Sequence, residues 1–137
     1  MNINGKIINS ENELIDLIKV GINPLEYIAS ELDIDFICKS IAYAEKSEDT
    51  YWDDSAEILL KSIIYYLRAK EDEIKSLQRC KEIIESVINS SDKRKTMIDL
   101  LGDNESAKLL YTPIEISSDK NYDFIFETLN TKLSKIA

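Results

Sequence analysis

Histidine is absent from this chain. That removes the imidazole base of Ser-His-Asp and Cys-His sites, together with a frequent ligand of catalytic metals. Glycine occurs three times and proline twice, which leaves little material for hairpin arrays, long irregular loops or a Gly-rich cradle for phosphates. The two cysteines, Cys38 and Cys80, stand far apart, each inside a helical pattern. They read as buried thiols in a reducing compartment rather than as a disulfide or a metal motif. No stretch has the pattern of a signal peptide, and none is apolar for long enough to cross a bilayer. GxxxxGK[ST], GxGxxG, CxxC, HExxH and GxSxG are all missing. Without a nucleophile–base pair or a set of metal ligands, an enzyme is not expected, and neither is a cofactor.

What is present is a chain of 137 residues, enough for one domain spanning 1–137. Its hydrophobic fraction of 44 % suffices for a real core. With so few breakers, the expected architecture is all-α: a bundle of about six to eight short helices around one central helix (51–68). The 26 acidic residues outnumber the 17 basic ones, for a net charge of −9. Such a surface argues against broad nucleic-acid binding, which needs a basic excess.

The central stretch is Tyr51 to Arg68, YWDDSAEILLKSIIYYLR. Thr50 is its expected N-cap, with Asp53 three residues on. Asp53, Asp54 and Glu57 load the first turns with the charge that the helix dipole favours. Trp52, Ala56, Leu59, Ile63, Tyr66 and Leu67 form one stripe; Ile58, Leu60, Ile64 and Tyr65 widen it around most of the circumference. That pattern predicts a core helix with neighbours on several sides. Asp53, Asp54, Glu57, Lys61 and Arg68 make its polar strip, with Glu57 and Lys61 at pairing distance along the helix.

Around it the order of elements is legible. Met1 to Ile8 reads as a short strand or an extended lead-in. Ser10 and Glu13 frame the start of a helix that runs to about Val20 and stops at Gly21. Asn23-Pro24-Leu25-Glu26 starts a helix of about two turns. Asp33 caps the next, which runs to about Glu45. Beyond the central stretch, Ser76 to Asn89 is amphipathic. Ser90-Ser91-Asp92 breaks it and caps a helix from Lys93 to Leu101 that Gly102 ends, Asp103 opens one with Ala107, Leu109 and Leu110, and Thr112-Pro113 stops it. Ser118 or Asp119 begins the last, with Tyr122, Ile125, Phe126, Leu129, Leu133 and Ile136 on its inner face.

Two charged regions are candidate binding surfaces. The loop Lys46 to Thr50 and the helix start after it gather Glu48, Asp49, Asp53, Asp54 and Glu57, a candidate site for a protein partner. Acids at a helix start also serve the dipole alone, and the spacing of an EF-hand is missing. The basic residues Arg68, Lys70, Lys75, Arg79 and Lys81 make a candidate weak nucleic-acid patch. Glu71, Asp72, Glu73 and Glu82 interleave with them, as on an ordinary solvated face.

The segment Asn23-Pro24-Leu25-Glu26-Tyr27-Ile28, an intervening short helix, an acidic loop and the helix Trp52 to Leu67 together resemble the coupling proteins of type IV secretion systems, the motor ATPases of conjugative DNA transfer. In that family an Asn-Pro-Leu/Phe segment is followed by a Trp-acidic-x-x-Ala-x-x-Leu-Leu helix ending in Tyr-Leu. A looser likeness reaches Tyr122–Ala137, where the family's Gly-Lys-Thr-like start is missing. The resemblance implies an all-α domain inserted into a RecA-type motor, whose ATPase motifs lie outside this chain. Residues 1–22 would then be residual motor sequence or the domain's own first helix. It further implies a cytoplasmic location in a membrane-anchored, hexameric parent, with the isolated domain a monomer that does not touch the membrane. The implied partners are a relaxase or relaxosome accessory protein, with DNA a weaker contact. The alternative is a stand-alone acidic adaptor or immunity-type protein that binds a basic partner.

Overall fold

A computed structural model describes all 137 residues. Two short strands, β1 (Asn2–Ile3) and β2 (Lys6–Ile7), form a small antiparallel hairpin. Seven helices follow: α1 (Glu11–Lys19), α2 (Glu31–Ala42), α3 (Thr50–Ala69), α4 (Leu77–Ile88), α5 (Lys93–Leu101), α6 (Glu105–Glu115) and α7 (Asp119–Ser134). One turn of 3-10 helix, Pro24–Tyr27, lies between α1 and α2. The fold is all-α, as the scarcity of glycine and proline implies.

Capping side chains set most helix starts. Ser10, Asp49, Ser76, Asp92, Asn104 and Ser118 each accept a backbone N–H from the first turn that follows. Each such cap contributes about 1 kcal/mol. Three starts differ from the sequence reading. Asp49, not Thr50, caps α3, because its carboxylate reaches Tyr51 N–H at 2.9 Å and leaves Thr50 free to be the first helical residue. Ser30 precedes α2, and Asp33 already lies in its first turn, reaching back to accept Ala29 N–H at 2.8 Å. Asn104 rather than Asp103 caps α6.

Helix ends show the same local logic with two exceptions. Gly21, at φ +104°, follows α1 in a conformation that only glycine adopts freely, and Gly102 closes α5. Thr112-Pro113 does not stop α6, which runs on to Glu115. Pro113 lies in the last turn, and its missing N–H would have bonded the carbonyl of Leu109, a residue at the surface. Leu109 is itself 77 % exposed; Tyr111 and Ile114 take the inner face instead. α2 ends at Ala42, short of Glu45, and the Pro24 segment makes one turn before Ile28 returns to extended backbone.

α3 is the axis of the bundle and packs against α2, α4, α6 and α7. Leu59, Leu60, Ile63, Ile64 and Leu67 are all fully buried and form one broad face of the helix, while Ile58 and Tyr65 on the opposite side are only partly buried. The polar strip along α3 is thin: Lys61 pairs with Asp35 of α2 at 2.5 Å rather than with Glu57 one turn back. α7 is the second organiser. It touches α2, α3, α4 and α6, and so joins the last helix to the middle of the chain. One cluster of 33 buried residues runs through the molecule, and Ile3, Ile8, Leu14, Ile15 and Ile18 belong to it. Residues 1–22 thus supply side chains to the core. Cys38 and Cys80 are buried free thiols, and burial pushes the Cys80 thiol up to about 12.

Trp52 is only half-buried. Its ring meets Phe124 of α7 edge-on at 4.5 Å and Tyr51 at 4.8 Å. Trp52→Ala is therefore expected to cost about 1–2 kcal/mol, below the 3–5 typical of an enclosed Trp, because no closed cavity forms and water already reaches part of the ring. Urea melts measure this directly, and a loss above that range would place the ring in the core.

Candidate functional site

The α2–α3 loop and the first turns of α3 bring the predicted acids into one region but give them different tasks. Glu48 is exposed and makes no ion pair or side-chain hydrogen bond. Asp49 is engaged as the cap of α3. Asp54, exposed, accepts a hydrogen bond from Tyr43 Oη, and that bond, then burial and the neighbouring Glu57, push the phenol well above its ordinary range. Glu57 is half-buried; burial raises its pKa against the pull of Lys61 and Lys39, and Oε2 has no partner.

Asp53 departs furthest from the expectation of an exposed binding residue. It is fully buried. Lys132 of α7, its side chain only 9 % exposed, pairs with Oδ1 at 2.9 Å. Ser47 adds a backbone N–H to Oδ2 at 2.8 Å and a hydroxyl to Oδ1 at 3.0 Å. Burial alone would raise this carboxyl, but the Lys132 ammonium and the Ser47 donors outweigh it and hold the pKa below the usual value. Asp53 is a bolt between the loop and α7, withdrawn from any partner.

The basic candidates are similarly committed. Arg79 makes a bidentate contact with Glu73, at 2.9 and 3.3 Å, and lies 3.6 Å from Glu82. Lys81 faces Glu85 at 3.8 Å, and Lys75 donates to the carbonyls of Lys70 and Glu73. Arg68 and Lys70 are exposed at the end of α3. Most of these cations answer local acceptors, so no phosphate-tracking face is assembled. Arg94, further on, is also structural: it lies 4.2 Å over the Tyr122 ring and donates to Ser117 O at 2.7 Å and to the carbonyl of Glu115, tying α5 to the α6–α7 turn.

Beside the acidic loop runs an open groove of about 740 Å³ between α1, the end of α2 and α7. Ile15, Ile41 and Ile136 border it but are themselves buried in the core, Phe124 is half-exposed, and Lys19, Lys46, Lys132 and Lys135 share the lining with Asp16 and Glu127. Glu45 also lines it, with Lys135 bonded to its carboxylate and Lys132 to its carbonyl at 2.8 Å. Comparison with protein-family models, curated proteins and solved structures finds no match for this chain. The site is therefore read from its own geometry. Sequence reasoning missed the groove because Glu45 and Lys132 are separated by 87 residues, and no local period links them. The one available signal was the pair of lysines at i and i+3 at the end of the last helix, Lys132 and Lys135.

No group of three or more Cys, Asp and Glu side chains is arranged to hold a metal ion. No helix is long and apolar enough to cross a membrane.

Proposed function

We propose that this chain serves as the all-α recognition domain of a type IV coupling protein, recruiting a relaxase or relaxosome accessory protein for conjugative DNA transfer on the cytoplasmic side. The observation that carries this reading is that the residues bearing the resemblance are those that organise an all-α fold. Trp52 to Leu67 lie on α3, the axis of the bundle. Asn23 caps the Pro24 turn and donates through Nδ2 to Lys75 O at 2.8 Å, joining that turn to the segment after α3. Pro24 and Leu25 are buried. A motif made of such residues specifies a scaffold and leaves recognition to the surface around it. The acidic balance favours protein over DNA as the direct contact, since phosphates would be repelled.

Pull-down of the cognate relaxase and its accessory factors on the purified domain tests this reading. Capture of either supports it. Capture of neither, under conditions in which the full-length coupling protein retains them, would overturn it. The net charge of −9 and the unpaired Glu48 favour a second reading, an acidic adaptor or immunity-type protein. That reading expects tight, salt-sensitive binding of a basic protein unrelated to DNA transfer.

A further inference from the structure

Glu57 enters the contact between α2 and α3 without a partner of its own. Its side chain is half-buried, and Oε2 is inaccessible and accepts no hydrogen bond. Lys61, one turn on, is taken by Asp35 at 2.5 Å. Lys39 of α2 acts on Glu57 through its charge alone. Tyr43, the residue that closes α2, stands between two carboxylates: its hydroxyl donates to Asp54 Oδ1 and lies 3.5 Å from Glu57 Oε1. A phenol carries a single proton, and the closer acceptor takes it. An ionised Glu57 is left with one oxygen at the outer limit of hydrogen bonding and another with no donor. Burying a charged acceptor in that condition costs free energy.

We propose that Glu57 is a proton-operated latch between α2 and α3: neutral, it donates to Tyr43 Oη and completes a chain from Glu57 through Tyr43 to Asp54; ionised, it leaves that chain open. One proton from solvent suffices, because the Tyr43 proton stays on Asp54 in both states. The bond to Asp54, and then burial, hold the phenol well above its ordinary range, so Tyr43 remains a donor throughout. Burial outweighs the pull of Lys61 and Lys39 and raises the Glu57 carboxyl. The other groups around it are Asp35 and Cys38 of α2 and Asp54 of its own helix. Asp35 is paired with Lys61, and burial keeps the Cys38 thiol neutral. With the native pKa above the unfolded one, the latch is fully closed below the unfolded value of about 4.3 and is lost as pH rises through the native pKa. Asp53 shifts the opposite way and stays ionised across this window. The latch therefore tightens the end of α2, where the acidic loop begins, in mildly acidic surroundings. The inference stands on this contact alone, whether or not the chain serves DNA transfer.

Two NMR measurements on the whole chain test it: carbon-detected titration of the Glu57 carboxyl, and hydrogen exchange of the amide at position 43, which donates to Lys39 O at 3.0 Å. The carboxyl should titrate above the ordinary glutamate value. Protection of the amide should rise about fivefold, the worth of one hydrogen bond, as pH is lowered from about 8 to about 5. Glu57→Gln carries an amide donor of nearly the same shape at every pH, so its protection should be high at both ends of the range. Tyr43→Phe removes the acceptor: the rise in protection should vanish, while the carboxyl, still buried, stays raised. Thermal melts should show both variants folded. A carboxyl that titrates at or below the ordinary value would overturn the proposal. So would the same pH dependence in the wild type and Glu57→Gln. A rise in protection that survives Tyr43→Phe would assign the effect to burial alone and overturn the latch too.

Discussion

Asp53→Ala is expected to destabilise the fold by about 3–5 kcal/mol, the range for breaking one side of a buried ion pair. The loss would come less from the missing attraction than from what remains. Lys132 is nearly inaccessible, so its ammonium would be left in low dielectric with only the Glu45 carbonyl, and Ser47 would lose the acceptor of both its donors. Lys132→Met should cost a similar amount for the mirror reason. Asp53→Leu with Lys132→Met should recover much of either loss, because an apolar pair of similar volume removes both desolvation penalties. Urea melts of these proteins at neutral pH, with Asp53→Leu alone as the matching single variant, close the cycle. A single-variant loss under about 1 kcal/mol would mean that the pair behaves as a surface contact.

The same pair predicts an acid signature. The Asp53 carboxyl titrates below its unfolded value in the native state. The stabilisation is therefore complete above the unfolded pKa of about 4 and is lost as pH falls through the lower, native pKa. The wild-type protein should lose its advantage over Asp53→Ala across that acidic window. A difference between the two that stays constant with pH would remove the charge from the explanation.

Phe126→Ala is the second large effect, again about 3–5 kcal/mol. The ring is fully buried and lies 4.8 Å from that of Tyr122. Tyr122 in turn shares a buried hydroxyl contact with Tyr111 of α6 and lies under Arg94 of α5. Truncation opens a cavity at the point where α7 meets these neighbours, and the Tyr–Tyr contact prevents the walls from closing in. Phe126→Leu should cost about 1 kcal/mol, since a residue of near volume refills most of the space. Denaturation curves measure both, and near-UV circular dichroism should report loosened tyrosines in the alanine variant alone. Equal losses for the two would point to a specific aromatic contact instead of a cavity.

The contrast between Trp52 and Phe126 shows where sequence pattern stops. Both lie on helices whose periodicity is plain. Periodicity assigns a face, but the depth of that face depends on which helix covers it. Trp52 stands near the start of α3, half-buried at the edge of the core against the rings of Phe124 and Tyr51, whereas Phe126 on α7 is fully buried. Asp53 makes the same point for charge. An acid in the first turn of a helix suits the dipole in any context, so nothing local distinguishes Asp53 from Asp54. Their fates were decided by Lys132, far along the chain.

Composition and local chemistry were enough to determine that this chain builds an all-α domain, that Tyr51 to Arg68 is its axis, and that Ser10, Asn23, Ser76, the Ser90-Ser91-Asp92 segment and Gly102 mark boundaries. These depend on caps, breakers and a period of 3.6 residues, all of which act within a few positions. Only the tertiary structure decided that α7 returns across α2 and α3, that Asp53 is sealed beneath it, and that Lys132 and Lys135 reach Glu45 beside a groove of mixed lining. Those outcomes are set by helix packing, in which residues distant in sequence become neighbours and the low dielectric between them gives a charge its meaning.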